Sequence, residues 1–255
     1  MVVASSLEDA KALLVDLVAD AERIVGFTGA GISTESGIPD FRSPGGFWTK
    51  NAPIHFDDFV RSEDARLEAW QRKFAIDDAF SSAVPGRGHR ALASLVASGR
   101  MTAIITQNID NLHQTSGVPD DRIIELHGNG TYASCLSCGT RHEIAWVRQQ
   151  FEETGAPPAC TACGGLVKTA TVSFGQTLPE QATARADAAA TACDLMLAIG
   201  SSLVVYPAAM YPMRAKQAGA LLAIVNRDPT ELDSAADLVI RHDIGDVLEA
   251  IGGGA

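Results

Sequence analysis

The chain has no apolar run long enough to cross a bilayer, and its N-terminus lacks the basic start and apolar core of a secretion signal. It has no internal repeat and no low-complexity tract. It has no positive excess: 20 Lys and Arg stand against 31 Asp and Glu, a formal net charge of −11. That sign argues against a protein held on nucleic acid or an anionic membrane by bulk charge. The expectation is a soluble cytoplasmic protein with no nucleic-acid or membrane partner. What is present suits that class: 255 residues, 46% hydrophobic and 20% charged, are enough to bury a substantial core.

Cysteine is also scarce, with five in all, but its placement is informative. Cys135-Leu136-Ser137-Cys138 and Cys160-Thr161-Ala162-Cys163 are two Cys-x-x-Cys pairs separated by 21 residues. In a reducing compartment such pairs point to metal or redox chemistry before a structural disulfide. Two matching knuckles bring four thiolates to the corners of a tetrahedron, which favours structural zinc over a redox dithiol. Four sulfurs leave no open position for water, so the metal is not expected to be a catalyst. Cys193 stands alone.

Glycine is concentrated where it matters. Ile24 to Thr28 is a short apolar run, read as a buried strand, and Gly29-Ala30-Gly31 follows it. A tight turn there could present backbone N–H groups to a pyrophosphate. The common dinucleotide fingerprint would want glycine at position 34, where Thr34 stands. Two glycines alone do not separate a dinucleotide site from a ligand-free turn. Gly37-Ile38-Pro39-Asp40-Phe41-Arg42 adds charge, a ring and a rigid bend that mere closure of a loop does not require.

Apolar spacing predicts helices over 6–22, 67–80, 89–97, 143–153, 179–192, 211–219 and 246–251, and strands over 101–106, 122–126, 195–199, 221–225 and 238–240. Residues 43–62 read as an irregular loop, a candidate lid. Val167 to Phe174 reads as an extended return to the main domain. This alternation predicts an α/β fold, a doubly wound parallel sheet of Rossmann-like type, with an inserted small zinc-ribbon module. The predicted division is 1–130 and 167–255 for the large dinucleotide-binding domain and 131–166 for the zinc module, with 43–90 contributing to the small domain.

The motifs occur in a telling order. Gly29-Ala30-Gly31-Ile32-Ser33 precedes Gly37-Ile38-Pro39-Asp40-Phe41-Arg42; then come Thr106-Gln107-Asn108-Ile109-Asp110, His127-Gly128-Asn129, the two cysteine pairs, Gly200-Ser201-Ser202 and Val225-Asn226. Together they resemble the sirtuin family of NAD-dependent protein deacylases, over nearly the whole chain. The resemblance implies NAD consumed as a substrate, one structural zinc on Cys135, Cys138, Cys160 and Cys163, and an acyl-lysine protein or peptide as partner. It implies His127 as general base on a ribose hydroxyl, with Asn108 and Asp110 beside nicotinamide. Gly29, Ala30, Gly31, Ser33, Ile38, Asp40, Phe41, Arg42, Gln107, Ile109, Gly200, Ser201, Ser202, Asn226, Arg227 and Ile244 are implied NAD contacts. Phe41 would cover the face that nicotinamide leaves.

For the peptide, the resemblance implies Val172, Phe174 and Gly175 on one side and Val204, Val205 and Tyr206 on the other. The chain departs from the family at Thr169-Ala170 and Gln176, where carboxylates are common. Trp70 and Lys73 match the pair that binds acidic acyl groups in one subgroup, but the expected Tyr is Trp, so acyl preference stays open. Deacetylation is the first expectation; mono-ADP-ribosyl transfer, lipoamidase-like activity and a non-enzymatic NAD sensor are the alternatives.

Overall fold

A computed structural model describes residues 2–40 and 52–253. Seven parallel strands form the main sheet in the order β1-β10-β9-β8-β2-β3-β4. They are β1 (Val2–Val3), β2 (Ile24–Thr28), β3 (Met101–Thr106), β4 (Ile123–Glu125), β8 (Leu195–Ile199), β9 (Leu221–Val225) and β10 (Leu238–Ile240). In β2, β8 and β10 every residue is buried, as a parallel sheet covered on both sides requires. Side chains alternate between the faces. Leu195, Leu197 and Ile199 pack with Leu14, Leu92 and Leu248 on one face; Met196 and Ala198 pack with Ala186, Ala190 and Tyr211 on the other.

From β2 the chain steps to β3 and β4 on one side, and later from β8 to β9 and β10 on the other. The order therefore reverses between β2 and β8. The carboxyl ends of those two strands are where such sheets open a ligand crevice.

Three strands, β5 (Gly128–Cys135), β6 (Arg141–Glu143) and β7 (Val167–Thr171), form a second sheet in the order β6-β5-β7, all pairs antiparallel. This corrects two sequence expectations. Val167 to Thr171 does not return to the main sheet; it pairs with β5. The small sheet also begins at Gly128, within a polar stretch that carried no strand signal. Helix Glu63–Phe80 packs on this sheet through Trp70 and Phe74, which join Ala133, Cys135, Val147, Cys160 and Val167 in one cluster.

The expected lid is only partly described. Its residues 43–51, and the predicted contacts Phe41 and Arg42, lie outside the described residues. Phe56–Arg61 is a helix rather than loop, and Ser62 caps the next helix by accepting from the Ala65 N–H at 3.2 Å. Among the described residues, no helix is long and apolar enough to cross a membrane.

Candidate active site

Gly29 and Gly31 are required by close backbone approach. A Cβ on Gly31 would lie 2.7 Å from Gly200 Cα, and one on Gly29 would lie 2.8 Å from the Gly200 carbonyl oxygen. The two loops are tied by Gly29 N–H to Ile199 O (3.0 Å) and Gly31 N–H to Gly200 O (2.8 Å). This corrects the expectation that both glycines offer free N–H groups to pyrophosphate. Their N–H groups join the carboxyl ends of β2 and β8, and Ala30 between them is the member of the trio without such a tie among the described residues. A 3₁₀ helix, Ala30–Ser36, then runs to Gly37 in the left-handed region.

A cleft of about 1170 Å³ opens above these loops. Of the predicted NAD contacts, Gly29, Ala30, Gly31, Ile38, Asp40, Gln107, Asn108, Ile109, Asp110, Gly200, Ser201, Ser202, Asn226, Arg227 and Ile244 all line it, as does His127. From the predicted peptide side, Val172, Phe174, Gly175, Val205, Tyr206 and Lys73 line it too.

Three predicted residues sit elsewhere. Trp70 is 1% exposed and stacks on Phe74 with ring centroids 5.7 Å apart, so it supports the small sheet and does not line the cleft. Val204 lies outside the lining and is exposed. Ser33 is fully buried. Its hydroxyl donates to Asp110 Oδ2 at 2.6 Å and accepts from Asn108 Nδ2 at 3.2 Å. Ser33 therefore fixes the Asn108–Asp110 pair from beneath instead of facing a phosphate.

Further bonds hold that pair. Asn108 Nδ2 donates to Gly29 O at 3.1 Å, and its backbone N–H donates to Thr106 Oγ1 at 3.0 Å. Asp110 Oδ1 accepts from Leu112 N–H at 3.0 Å. Two buried histidines complete the floor. Gly86 N–H donates to His89 Nδ1 at 3.2 Å, which leaves the proton on Nε2, 3.5 Å from Ser33 Oγ. His113 Nε2 lies 2.9 Å from Thr28 Oγ1, which donates to Thr106 Oγ1 at 2.8 Å. Burial pushes His113 down to about 3, so it stays neutral. The spacing of these residues carried no sign of this floor, because its members come from three separate segments.

His127 is half-buried where the chain leaves β4 for β5. Its Nδ1 lies 3.0 Å from the Gln107 carbonyl. A carbonyl only accepts, so Nδ1 carries the proton and Nε2 keeps its lone pair. Burial lowers the His127 pKa, and the bond to Gln107 only partly opposes it. The imidazole is thus neutral near pH 7 and able to take a proton at Nε2. Gly128 follows with φ of +71°, and a Cβ there would lie 2.0 Å from Ala170 O. Only glycine lets the two crossing strands pass this closely. Asn129 Nδ2 donates to Glu125 Oε1 at 2.7 Å and to Asn111 Oδ1 at 2.9 Å, bracing the loop that carries Asp110.

The four paired cysteines converge. Their sulfurs all lie within 4.8 Å of one another, with 3.5 Å for Cys135–Cys163 and 3.7 Å for Cys138–Cys160. Sulfurs about 2.3 Å from a tetrahedral zinc would be about 3.8 Å apart, so the set fits that ion. Both knuckles make the same backbone bond: Ser137 N–H to Cys135 Sγ and Ala162 N–H to Cys160 Sγ, each 3.4 Å. Gly165 leaves room, since a Cβ there would lie 3.0 Å from Cys135 Sγ.

Comparisons agree with this geometry. The Sir2 family model matches residues 29–207. An NAD-dependent protein deacetylase of Rhodopseudomonas palustris is 62% identical over 96% of this chain and 97% of its own length. NAD-dependent protein deacetylase 1 of Bradyrhizobium diazoefficiens is 60% identical, with 96% of each chain covered. Among solved structures, a Sir2 complex with a p53 peptide and NAD+ superposes with a TM-score of 0.83 at 36% identity, covering 94% of this chain and 95% of that one. Sir2Tm bound to a propionylated peptide gives a TM-score of 0.84 at 34% identity, covering 94% and 96%. From the glycine loops joining β2 to β8 through to the cysteine cluster, this chain belongs to the Sir2 family.

Proposed function

We propose that the protein is an NAD-dependent protein-lysine deacetylase that consumes NAD and releases nicotinamide and O-acetyl-ADP-ribose. NAD supplies a ribose carbon activated by its bond to nicotinamide. The observation that carries the reading is His127 on the cleft wall, neutral and with Nε2 free to accept, in the same cleft as a pre-set Asn108–Asp110 pair. His127 takes the proton of a ribose hydroxyl at Nε2. Asn108 and Asp110, immobilised by Ser33, orient the nicotinamide end. Gln107 sits beside them with its side chain donating to Ser201 Oγ at 2.8 Å, which links the β3 and β8 loops across the site. Gly200, Ser201, Ser202, Asn226 and Arg227 carry the rest of the dinucleotide.

The peptide lies against the turn Ser173–Gln176 and the segment at Val205 and Tyr206. Gln176 N–H donates to Ser173 O at 3.0 Å, and its side-chain oxygen accepts from Ser173 N–H at 3.2 Å, which closes the turn without a carboxylate. Lys73 on the cleft wall is paired with Asp77, and neighbouring Arg72 with Glu68. With both cations engaged, a neutral acyl group such as acetyl is favoured over an acidic one. Four cysteine thiolates hold zinc and order the small sheet.

The test is turnover of one lysine peptide bearing acetyl, propionyl or succinyl groups, with nicotinamide and O-acyl-ADP-ribose measured together. Equal yields, fastest with acetyl, are expected. Nicotinamide without O-acyl-ADP-ribose would mean that another acceptor takes the sugar, and preference for succinyl would overturn the reading of Lys73.

A further inference from the structure

Arg87, at the start of helix Arg87–Ala97, does not line the cleft, yet it joins two parts of its wall. Its backbone N–H donates to Glu35 Oε2 at 2.6 Å and its Nε to Glu35 Oε1 at 2.5 Å. Glu35 belongs to the 3₁₀ helix that follows the glycine turn. The other face of the guanidinium meets the last helix, Ile244–Gly252: Nη1 donates to Asp246 Oδ1 at 2.6 Å, and Nη2 lies 3.5 Å from Asp243 Oδ1. Glu249 is 3.6 Å away. One cation thus sits among four carboxylates from two elements that are far apart in sequence.

The surroundings are shaped for this cluster. A Cβ on Gly86 would lie 2.6 Å from Glu35 Oε2, and one on Gly245 would lie 2.8 Å from both Arg87 Nε and Glu35 Oε1. A Cβ on Gly88 would press on Ile32 at 3.0 Å and Ile244 at 3.3 Å. Three missing side chains make room for one ion pair and the contacts flanking it. Glu35, Asp243, Ile244 and Gly245 do line the cleft.

We infer that Arg87 is a positioning residue for NAD, a latch that holds the segment carrying Ile244 against the helix after the glycine turn and masks the carboxylates there from an anionic cofactor. This rests on the NAD-consuming reading above. Without Arg87, Glu35, Asp243, Asp246 and Glu249 face one another with no cation at their centre. The wall loosens, and the uncovered negative charge repels pyrophosphate. That repulsion is screened by salt, because the Debye length falls from about 10 Å at 0.1 M to about 3 Å at 1 M.

The experiment compares wild type, Arg87→Ala and Arg87→Lys by calorimetric titration of NAD and by steady-state deacetylation at low and high salt. Arg87→Ala should raise Kd and KM for NAD roughly tenfold, with kcat and peptide KM within about twofold. High salt should recover a large part of that loss in Arg87→Ala but change wild type little. Arg87→Lys, which keeps charge without the fork, should fall between them. Unchanged NAD affinity in Arg87→Ala, a loss that salt does not touch, or an equal loss in peptide KM would each overturn the latch. If Arg87→Ala does not fold, Arg87→Gln decides: removing the charge while keeping the stem should raise KM for NAD several-fold, with high salt recovering a large part of the loss, and no change would refute the proposal. Wild type that binds no NAD or releases no nicotinamide would instead refute the NAD-consuming reading itself.

Discussion

The seven-stranded sheet buries two continuous apolar layers under helices, whereas the three-stranded sheet shares its single small cluster with a helix from elsewhere in the chain and includes two cysteines in that cluster. The large sheet can therefore hold its shape by burial alone. The small one buries far less apolar surface, and its four sulfurs converge beside that cluster, so it is expected to lean on the metal. The two also use glycine differently. In the large sheet, Gly29, Gly31 and Gly200 let loops touch; in the small sheet, Gly128 lets a strand cross its neighbour beside the proposed base.

The sharpest way to break this contrast is to remove the metal. Zinc chelation should abolish deacetylation and expose β5, β6 and β7 to rapid hydrogen exchange while the main-sheet strands stay protected. Uniform loss of protection would show that the two sheets stand or fall together. Next in size, His127→Ala should cut kcat by about 10²- to 10⁴-fold with little change in melting temperature, since its role is proton transfer. A melting loss as large as that of a core variant would make it a structural histidine.

Trp70→Ala should cost about 3–5 kcal/mol, read by denaturant unfolding of the small-sheet signal. A selective change in acyl preference with no stability loss would return Trp70 to the substrate. Gly128→Ala adds a Cβ in the left-handed region against a backbone oxygen and should cost at least about 2 kcal/mol.

A last test concerns pH. His113 has its folded pKa pushed down to about 3, so the unfolded chain binds the extra proton first. The stability from its buried neutral form is complete above about pH 6.5 and declines as pH falls from there towards 3. His113→Gln should flatten that part of the stability curve, and an unchanged slope would assign it to other groups.

Most main-sheet strands were legible because burial leaves a mark in sequence; the exposed edge strand Val2–Val3 was not. Ile24–Thr28, Met101–Thr106, Leu195–Ile199, Leu221–Val225 and Leu238–Ile240 are the runs expected from apolar content. Gly128–Cys135 left no such mark: its partners come from across the cysteine insertion, and its side chains alternate with polar ones. The site was legible wherever a motif was contiguous, as at Gln107 to Asp110 and at His127. It was illegible where roles depended on remote neighbours. Ser33 faces Asp110 only because β2 lies beside β3, and Gly31 spends its N–H on a carbonyl 169 positions away. Arg87 lay just outside the expected helix 89–97, and nothing in the sequence links it to the last helix until that helix folds back beside it.

The carbonyl of His127 accepts from Val172 N–H at 2.8 Å, and Gly130 N–H donates to Ile109 O at the same length. The imidazole therefore sits at the pivot where the polypeptide passes from one sheet to the other. A displacement of the small sheet relative to the large one would carry the ring's own backbone with it. On the proposed reading, a peptide that displaced the small sheet would re-aim the proton acceptor in the same step.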